Sequence, residues 1–147
     1  MRISTKGRYG LRVLLDVAMN QAKGPVILRD IAKRQAISEK YLWQVINPLK
    51  GAGLVNSARG ARGGYTLARK PETISVLDVV TILEGPVSVV ECVEASESCN
   101  RSSICVTRGV WGEIEARLRE VMAKITLREL MQRQRDFELG GSVNYVI

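Results

Sequence analysis

Two short amphipathic segments stand three residues apart, and a pair of strand-like runs with a Gly- and Arg-rich tip follows at once. That succession constrains the fold more than any other feature of this 147-residue chain. The first segment runs from about Leu28 to Gln35. The second runs from Ser38, a natural N-cap with Glu39 in the first turn, to Gly51-Ala52-Gly53, where glycine stops it. Between them, Ala36-Ile37-Ser38 reads as a tight turn in which a bulky residue at position 36 would not fit. Ile31, Ala32, Ile37, Leu42 and Val45 have the spacing needed to pack the two helices at a steep angle. The following Leu54–Ala68 stretch reads as a β-hairpin closed by Arg59-Gly60-Ala61-Arg62-Gly63-Gly64. Together these predict a winged helix-turn-helix.

The flanking sequence supports a mainly α chain with one small hairpin. Upstream, Leu11, Leu14, Leu15 and Ala18 mark one face of a helix from Thr5 to about Gln21, ended by Gly24-Pro25. Downstream, a short helix over Ser75–Leu83 ends at Glu84-Gly85-Pro86. A polar loop spans about 87–107, a long helix about Arg108–Lys124, a shorter helical piece about Leu127–Arg135, and a mobile tail is expected beyond it. The expected organisation is a DNA-binding domain over 1–83, a cysteine-bearing sensor loop over 84–107, and a dimerisation helix with C-terminal tail over 108–147. One ordinary core suits this length and a 46% hydrophobic composition.

Charge is segregated along the chain. Residues 1–70 carry 14 Lys and Arg against three acids, whereas residues 71–147 carry eight against 12. A polyanion partner for the first half follows, and double-stranded DNA is the expected one. No basic amphipathic helix exposes the Trp or Phe a membrane surface would take, and no stretch approaches the ~18 apolar residues of a transmembrane span. The N-terminus has no secretory h-region, so the chain is expected in the cytoplasm, without a membrane partner. The sequence has no histidine, no nucleophile–base pair and no Gly-Lys-Ser/Thr after the Gly-rich tip, so neither an enzyme nor a P-loop is expected.

In a winged helix-turn-helix the second helix enters the major groove by its N-terminal residues. Here these are Ser38, Glu39, Lys40, Tyr41, Trp43 and Gln44. Gln44 has the donor and acceptor to bond an adenine, Lys40 reaches guanine or phosphate, and Ser38 reaches phosphate. Trp43 either joins them or packs against a neighbouring element. Arg59 and Arg62, with Gly60, Gly63 and Gly64 freeing the backbone, suit a narrow minor groove, and Lys6, Arg8 and Tyr9 are candidate backbone anchors.

All three cysteines, Cys92, Cys99 and Cys105, fall in the polar loop with Cys-x6-Cys-x5-Cys spacing. Three thiols in fourteen residues of a chain with no secretory segment suggest a metal or redox centre. Thiolates suit iron–sulfur clusters and soft metals. Structural zinc wants four N/S donors and a tight knuckle, which are absent. Free thiols or a redox-active pair remain the alternative. Just downstream, Trp111, Ile114, Leu118, Val121 and Ile125 follow a 3, 4, 3, 4 spacing. This seam fits a partner helix or the chain's own core. A dimer would place two recognition helices on a palindromic operator.

Ser4-Thr-Lys-Gly-Arg-Tyr9, Ile37-Ser-Glu-Lys-Tyr-Leu42, Gly53-Leu-Val55 and Arg59-Gly-Ala-Arg-Gly-Gly-Tyr65, followed by the clustered cysteines, resemble the bacterial IscR-type regulators (the Rrf family) from Met1 to about Leu130. That family includes iron–sulfur, nitric-oxide, iron and cysteine-metabolism regulators. The resemblance implies a homodimeric winged-helix transcription factor, a repressor in the expected case. Its three loop cysteines would ligate an iron–sulfur cluster, 2Fe–2S in preference to 4Fe–4S, that changes DNA binding. A regulator of the same fold with no cluster, responding to thiol oxidation, a small molecule or a partner enzyme, is the alternative. The chain departs from the family pattern at three places. Arg108 stands where IscR-type members carry a ligating histidine, Arg8 where the nitric-oxide branch carries an aspartate, and Trp43 where an acid precedes the recognition-helix glutamine. The fourth ligand is thereby left open among the loop acids Glu91, Glu94 and Glu97, water and the partner subunit.

Overall fold

A computed structural model describes residues 1–140; the last seven residues of the expected tail lie outside the described residues. The element order is α1 (Thr5–Asn20), α2 (Leu28–Gln35), α3 (Glu39–Gly51), β1 (Val55–Ala58), β2 (Gly64–Leu67), α4 (Val76–Glu84), α5 (Glu91–Glu94), α6 (Val106–Lys124) and α7 (Leu127–Glu138). The strands pair antiparallel, Val55 opposite Leu67 and Ala58 opposite Gly64. Helix-turn-helix and wing therefore stand where the sequence placed them.

Local chemistry explains the boundaries. Ser4, Ser38 and Thr126 each accept from backbone N–H groups in the first turns of α1, α3 and α7. Ser75 and Asp78 form a reciprocal capping box on α4. Between α2 and α3, Ala36 adopts φ 53°, the left-handed region that a branched side chain resists. The turn itself thus disfavours a β-branched residue at that position.

Ile31, Ile37, Leu42 and Val45 are buried as expected, with Ala32 partly buried beside them. They join Val13, Leu14, Val17, Leu49, Leu54, Ile74, Val79 and Leu127 in one core. The inward face of α1 differs from expectation. Leu14 and Ala18 are buried, but Leu11 and Leu15 are only partly so, and Gly7, Gly10, Val13 and Val17 complete the face. The reason is close approach: a Cβ on Gly10 would lie 2.0 Å from Leu83 Cδ1, so α1 sits directly against α4 where no side chain intervenes.

Two further boundaries differ. The expected loop contains a single helical turn at α5 and a 3-10 turn at Ser96–Ser98, and α6 begins at Val106. The last helix extends to Glu138. It folds back so that Leu127 enters the core and Leu130 and Met131 pack against it. Leu127 N–H donates to Ile74 O at 2.8 Å and Val76 N–H donates to Ile125 O at 2.9 Å, stitching the α6–α7 junction to the start of α4.

Candidate nucleic-acid interface and cysteine segment

Helix α3 buries Leu42, Val45, Ile46 and Leu49. The opposite stripe, with Glu39, Lys40, Trp43, Gln44, Asn47 and Lys50, is exposed. Ser38 is also exposed and spends its hydroxyl on the Tyr41 N–H at 3.2 Å. Tyr41 is half-buried; its ring meets that of Tyr9 edge-on at 5.7 Å, and the Arg12 guanidinium lies 5.0 Å from the Tyr9 centroid. Both tyrosines pack against the core, so their rings position the face more than they present it.

The wing carries Arg59 and Arg62 on its exposed tip, with Gly60 in the turn. Gly64 has φ 150°, and a Cβ there would meet Val26 O at 2.6 Å. Val26 and Tyr65 exchange two backbone hydrogen bonds of 2.8 Å, which anchor the wing root to the segment before α2. Gly63 and Gly64 thus serve the turn's own packing. Among the described residues, Lys6, Lys40, Lys50, Arg59 and Arg62 form no ion pair. Glu39 lies 4.0 Å from Arg29 in an exposed contact that contributes little. Arg8 donates to Thr5 Oγ1 at 3.2 Å and remains exposed.

Two polar networks hold this face in place, and neither has a signal in the sequence. Buried Asp16 accepts from Arg34 at 2.9 and 2.6 Å and from Gln35 Nε2 at 2.9 Å, locking the end of α2 to α1. The hydrogen bond to Asp16 holds the Arg34 guanidinium pKa above its ordinary value, with the two carboxylates Asp16 and Asp30 adding to it against the cost of burial. Glu84 Oε1, at the end of α4, accepts from Ser4 N–H at 3.1 Å, from Gly7 N–H at 2.9 Å and from the Ser4 hydroxyl. A carboxylate from 77 residues away therefore satisfies the α1 N-terminus.

The cysteine segment leads directly into α6. Cys105 is the residue before the helix, and its Sγ lies 3.2 Å from Thr107 Oγ1. That hydroxyl lowers the Cys105 thiol pKa below its ordinary value; the Arg108 N–H, the Thr107 N–H and the charge of Arg101 add to the effect, while burial opposes it. Arg108 Nε donates to Cys92 O at 2.7 Å and ties α5 to α6. In metal-free protein at neutral pH, iodoacetamide should therefore label Cys105 ahead of Cys92 and Cys99. Thr107→Val should slow that reaction selectively, which peptide mapping of the alkylated thiols reads directly. Equal rates at all three would remove any special activation of Cys105.

The Rrf2 family, described as an iron-dependent transcriptional regulator, matches residues 3–133. The chain belongs to the Rrf2 family. It is 46% identical over 132 residues to protein rrf2 of Nitratidesulfovibrio vulgaris, covering 90% of this chain and 88% of that protein. CymR of Bacillus subtilis is 42% identical over 130 residues, covering 88% and 89%. The structure of CymR, the global cysteine regulator of B. subtilis, superposes with a TM-score of 0.77 over 90% of this chain and 98% of that one. T. potens IscR, 38% identical, gives 0.76 over 94% and 91%. The chain is accordingly an Rrf2 transcriptional regulator rather than an enzyme, and its winged-helix architecture is that of the family.

As an Rrf2 protein the chain has a donor set whose chemistry suits an iron–sulfur cluster: three free thiols on one segment, none of them buried. Among the described residues, no three Cys, Asp or Glu side chains converge as a metal-binding group. Arg108 is excluded as a ligand, because a guanidinium has no free lone pair to give. Among the described residues, no helix is long and apolar enough to cross a membrane.

Proposed function

We propose that this chain is a homodimeric, sequence-specific DNA-binding repressor of the cytoplasm, acting on a palindromic operator. An iron–sulfur cluster on Cys92, Cys99 and Cys105 would set its operator affinity. The observation that carries the DNA reading is the α3 stripe beside the wing: Lys40 and Lys50 on the stripe and Arg59 and Arg62 on the wing tip are exposed with no ion-pair partner among the described residues, and Lys50 and Arg59 border one groove. Lys40, Trp43 and Gln44, with Ser38, Glu39 and Tyr41 around them, would meet base edges. Arg59 and Arg62 would enter the minor groove, and Lys6, Arg8 and Tyr9 would flank the backbone.

Dimerisation is supported by α6, whose Trp111, Ile114 and Val121 are 39%, 41% and 57% exposed while only Glu115 on the whole helix is buried. Such a stripe at heptad spacing suits a second copy. Bound by the three thiolates, a cluster supplies an anionic, oxygen- and redox-sensitive centre. The chain's own part is to relay the order of that segment. Cys105 opens α6, the end of α6 is bonded to the start of α4, Glu84 at the end of α4 caps α1, and α1 supports α3 through the core. Residues 1–83 would thus read DNA, 84–107 sense, and 108–147 dimerise.

The test is a gel shift at rising salt with an operator selected from random DNA. Affinity should fall with a log–log slope of roughly −0.9 per phosphate contact. Arg59→Ala should weaken binding by roughly 1–3 kcal/mol. An unchanged affinity would return Arg59 to the solvated surface. A second reading, the same regulator with thiol chemistry in place of a cluster, is favoured by the acidified Cys105 thiol and by the unconverged donors. Iron and sulfide counts on anaerobically purified protein separate the two.

A further inference from the structure

We propose that Trp43 is a specificity residue that recognises the C5-methyl group of a thymine in the major groove of the operator. The inference rests on the DNA reading above and assigns the chemistry of one contact within it. Trp43 is 51% exposed although it is the largest apolar side chain on α3. It shares the outward stripe with Lys40, Gln44 and Asn47, at the i, i+3, i+4, i+7 spacing of one helical face. It borders a groove of about 380 Å³ between α3 and the wing, whose apolar members include Ile27, Leu28 and Ala58 and whose cations are Lys50 and Arg59. Ile27 is itself 50% exposed there. Two large apolar side chains therefore stay in water on a surface that also carries the cations Lys40, Lys50 and Arg59 and the polar Gln44 and Asn47.

A duplex offers such a patch few partners. Phosphates are charged, and base faces are stacked away from a side chain that approaches from the groove. The one apolar group that projects into the major groove is the thymine methyl. Gln44, next along the same stripe, has the amide that pairs with adenine N6 and N7. Side by side, the two residues select for an A·T-rich step, Gln44 through the adenine edge and Trp43 through a neighbouring methyl. The groove between α3 and the wing is the space that admits it.

The experiment uses the full-length protein and an operator selected by it from random-sequence DNA. Each thymidine of one half-site is replaced in turn by deoxyuridine, which removes only the methyl group. At one position the unmodified protein should lose about fourfold in affinity, the equivalent of one buried methyl group. Trp43→Ala should bind the unmodified site as weakly and be indifferent to deoxyuridine there, while Trp43→Leu, which keeps apolar area, should retain part of the discrimination. Affinity for unrelated DNA and its salt slope should be the same in all three proteins, which also reports that the variants are folded. If the proteins respond alike at every deoxyuridine, or if Trp43→Ala weakens all sequences equally, the methyl contact is overturned and Trp43 packs on the backbone. If the unmodified protein shows no salt-dependent DNA binding at all, the DNA reading itself fails, and that outcome is distinct.

Discussion

Arg34→Met should lower the stability of the folded chain by about 3 kcal/mol, at the lower end of what breaking a buried pair costs. The Asp16 side chain is 2% exposed, and Arg34 supplies two of the three hydrogen bonds it accepts from side chains. Removing Arg34 leaves a buried carboxylate with Gln35 alone. The Arg34 side chain is 40% exposed, so water screens the pair from one side and holds the cost at that lower end. In a domain of this size that loss corresponds to a fall in Tm of about 10 °C. Adding Asp16→Leu to Arg34→Met should recover much of it, because the orphaned charge is then gone. Urea unfolding of both variants is the measurement. If the single variant loses under about 1 kcal/mol, the pair is a surface contact in energetic terms and does not lock α2 to α1.

Replacing Cys92, Cys99 and Cys105 together by alanine should leave anaerobically purified protein colourless, with iron and sulfide at background, whereas the unmodified protein should be brown. The operator-affinity difference between iron-loaded and iron-stripped protein should vanish with it. Typical couplings of ~1–3 kcal/mol make that difference on the order of tenfold. Thermal stability of the metal-free proteins should barely differ, because none of the three thiols is buried and none belongs to the core. A fold that survives while the response disappears is the signature of a sensor segment. A triple variant that still answers to iron would sink the cluster reading, and one that melts early would make the cysteines structural.

The helix-turn-helix and the wing were legible because each is written in nearest neighbours. Ser38 caps the helix it precedes, Ala36 is small where φ turns positive, and the tip glycines lie within the hairpin they close. The helical period, with Leu42 and Val45 committed inward, excluded only that Trp43 and Gln44 are both core; the exposure of Trp43 came from the packing around α3. The inward face of α1 was less legible. Leucines at helical spacing outweighed Gly7 and Gly10, whose meaning depends on where α4 lies. The short helical turn among the cysteines was missed because four residues, Glu91–Glu94, carry too little periodicity to register.

Read as a string of residues, this chain is already a basic winged helix joined to a thiol-bearing segment and a long apolar-striped helix. Those facts follow from local spacing, capping and charge count. It took the packed fold to show that Arg34 belongs to Asp16, that Glu84 caps a helix 77 residues earlier, and that Leu127 returns to the core. Each of these partnerships closes across a long stretch of chain. A carboxylate in a sequence carries no mark of the cation or helix end that packing will bring within 3 Å of it.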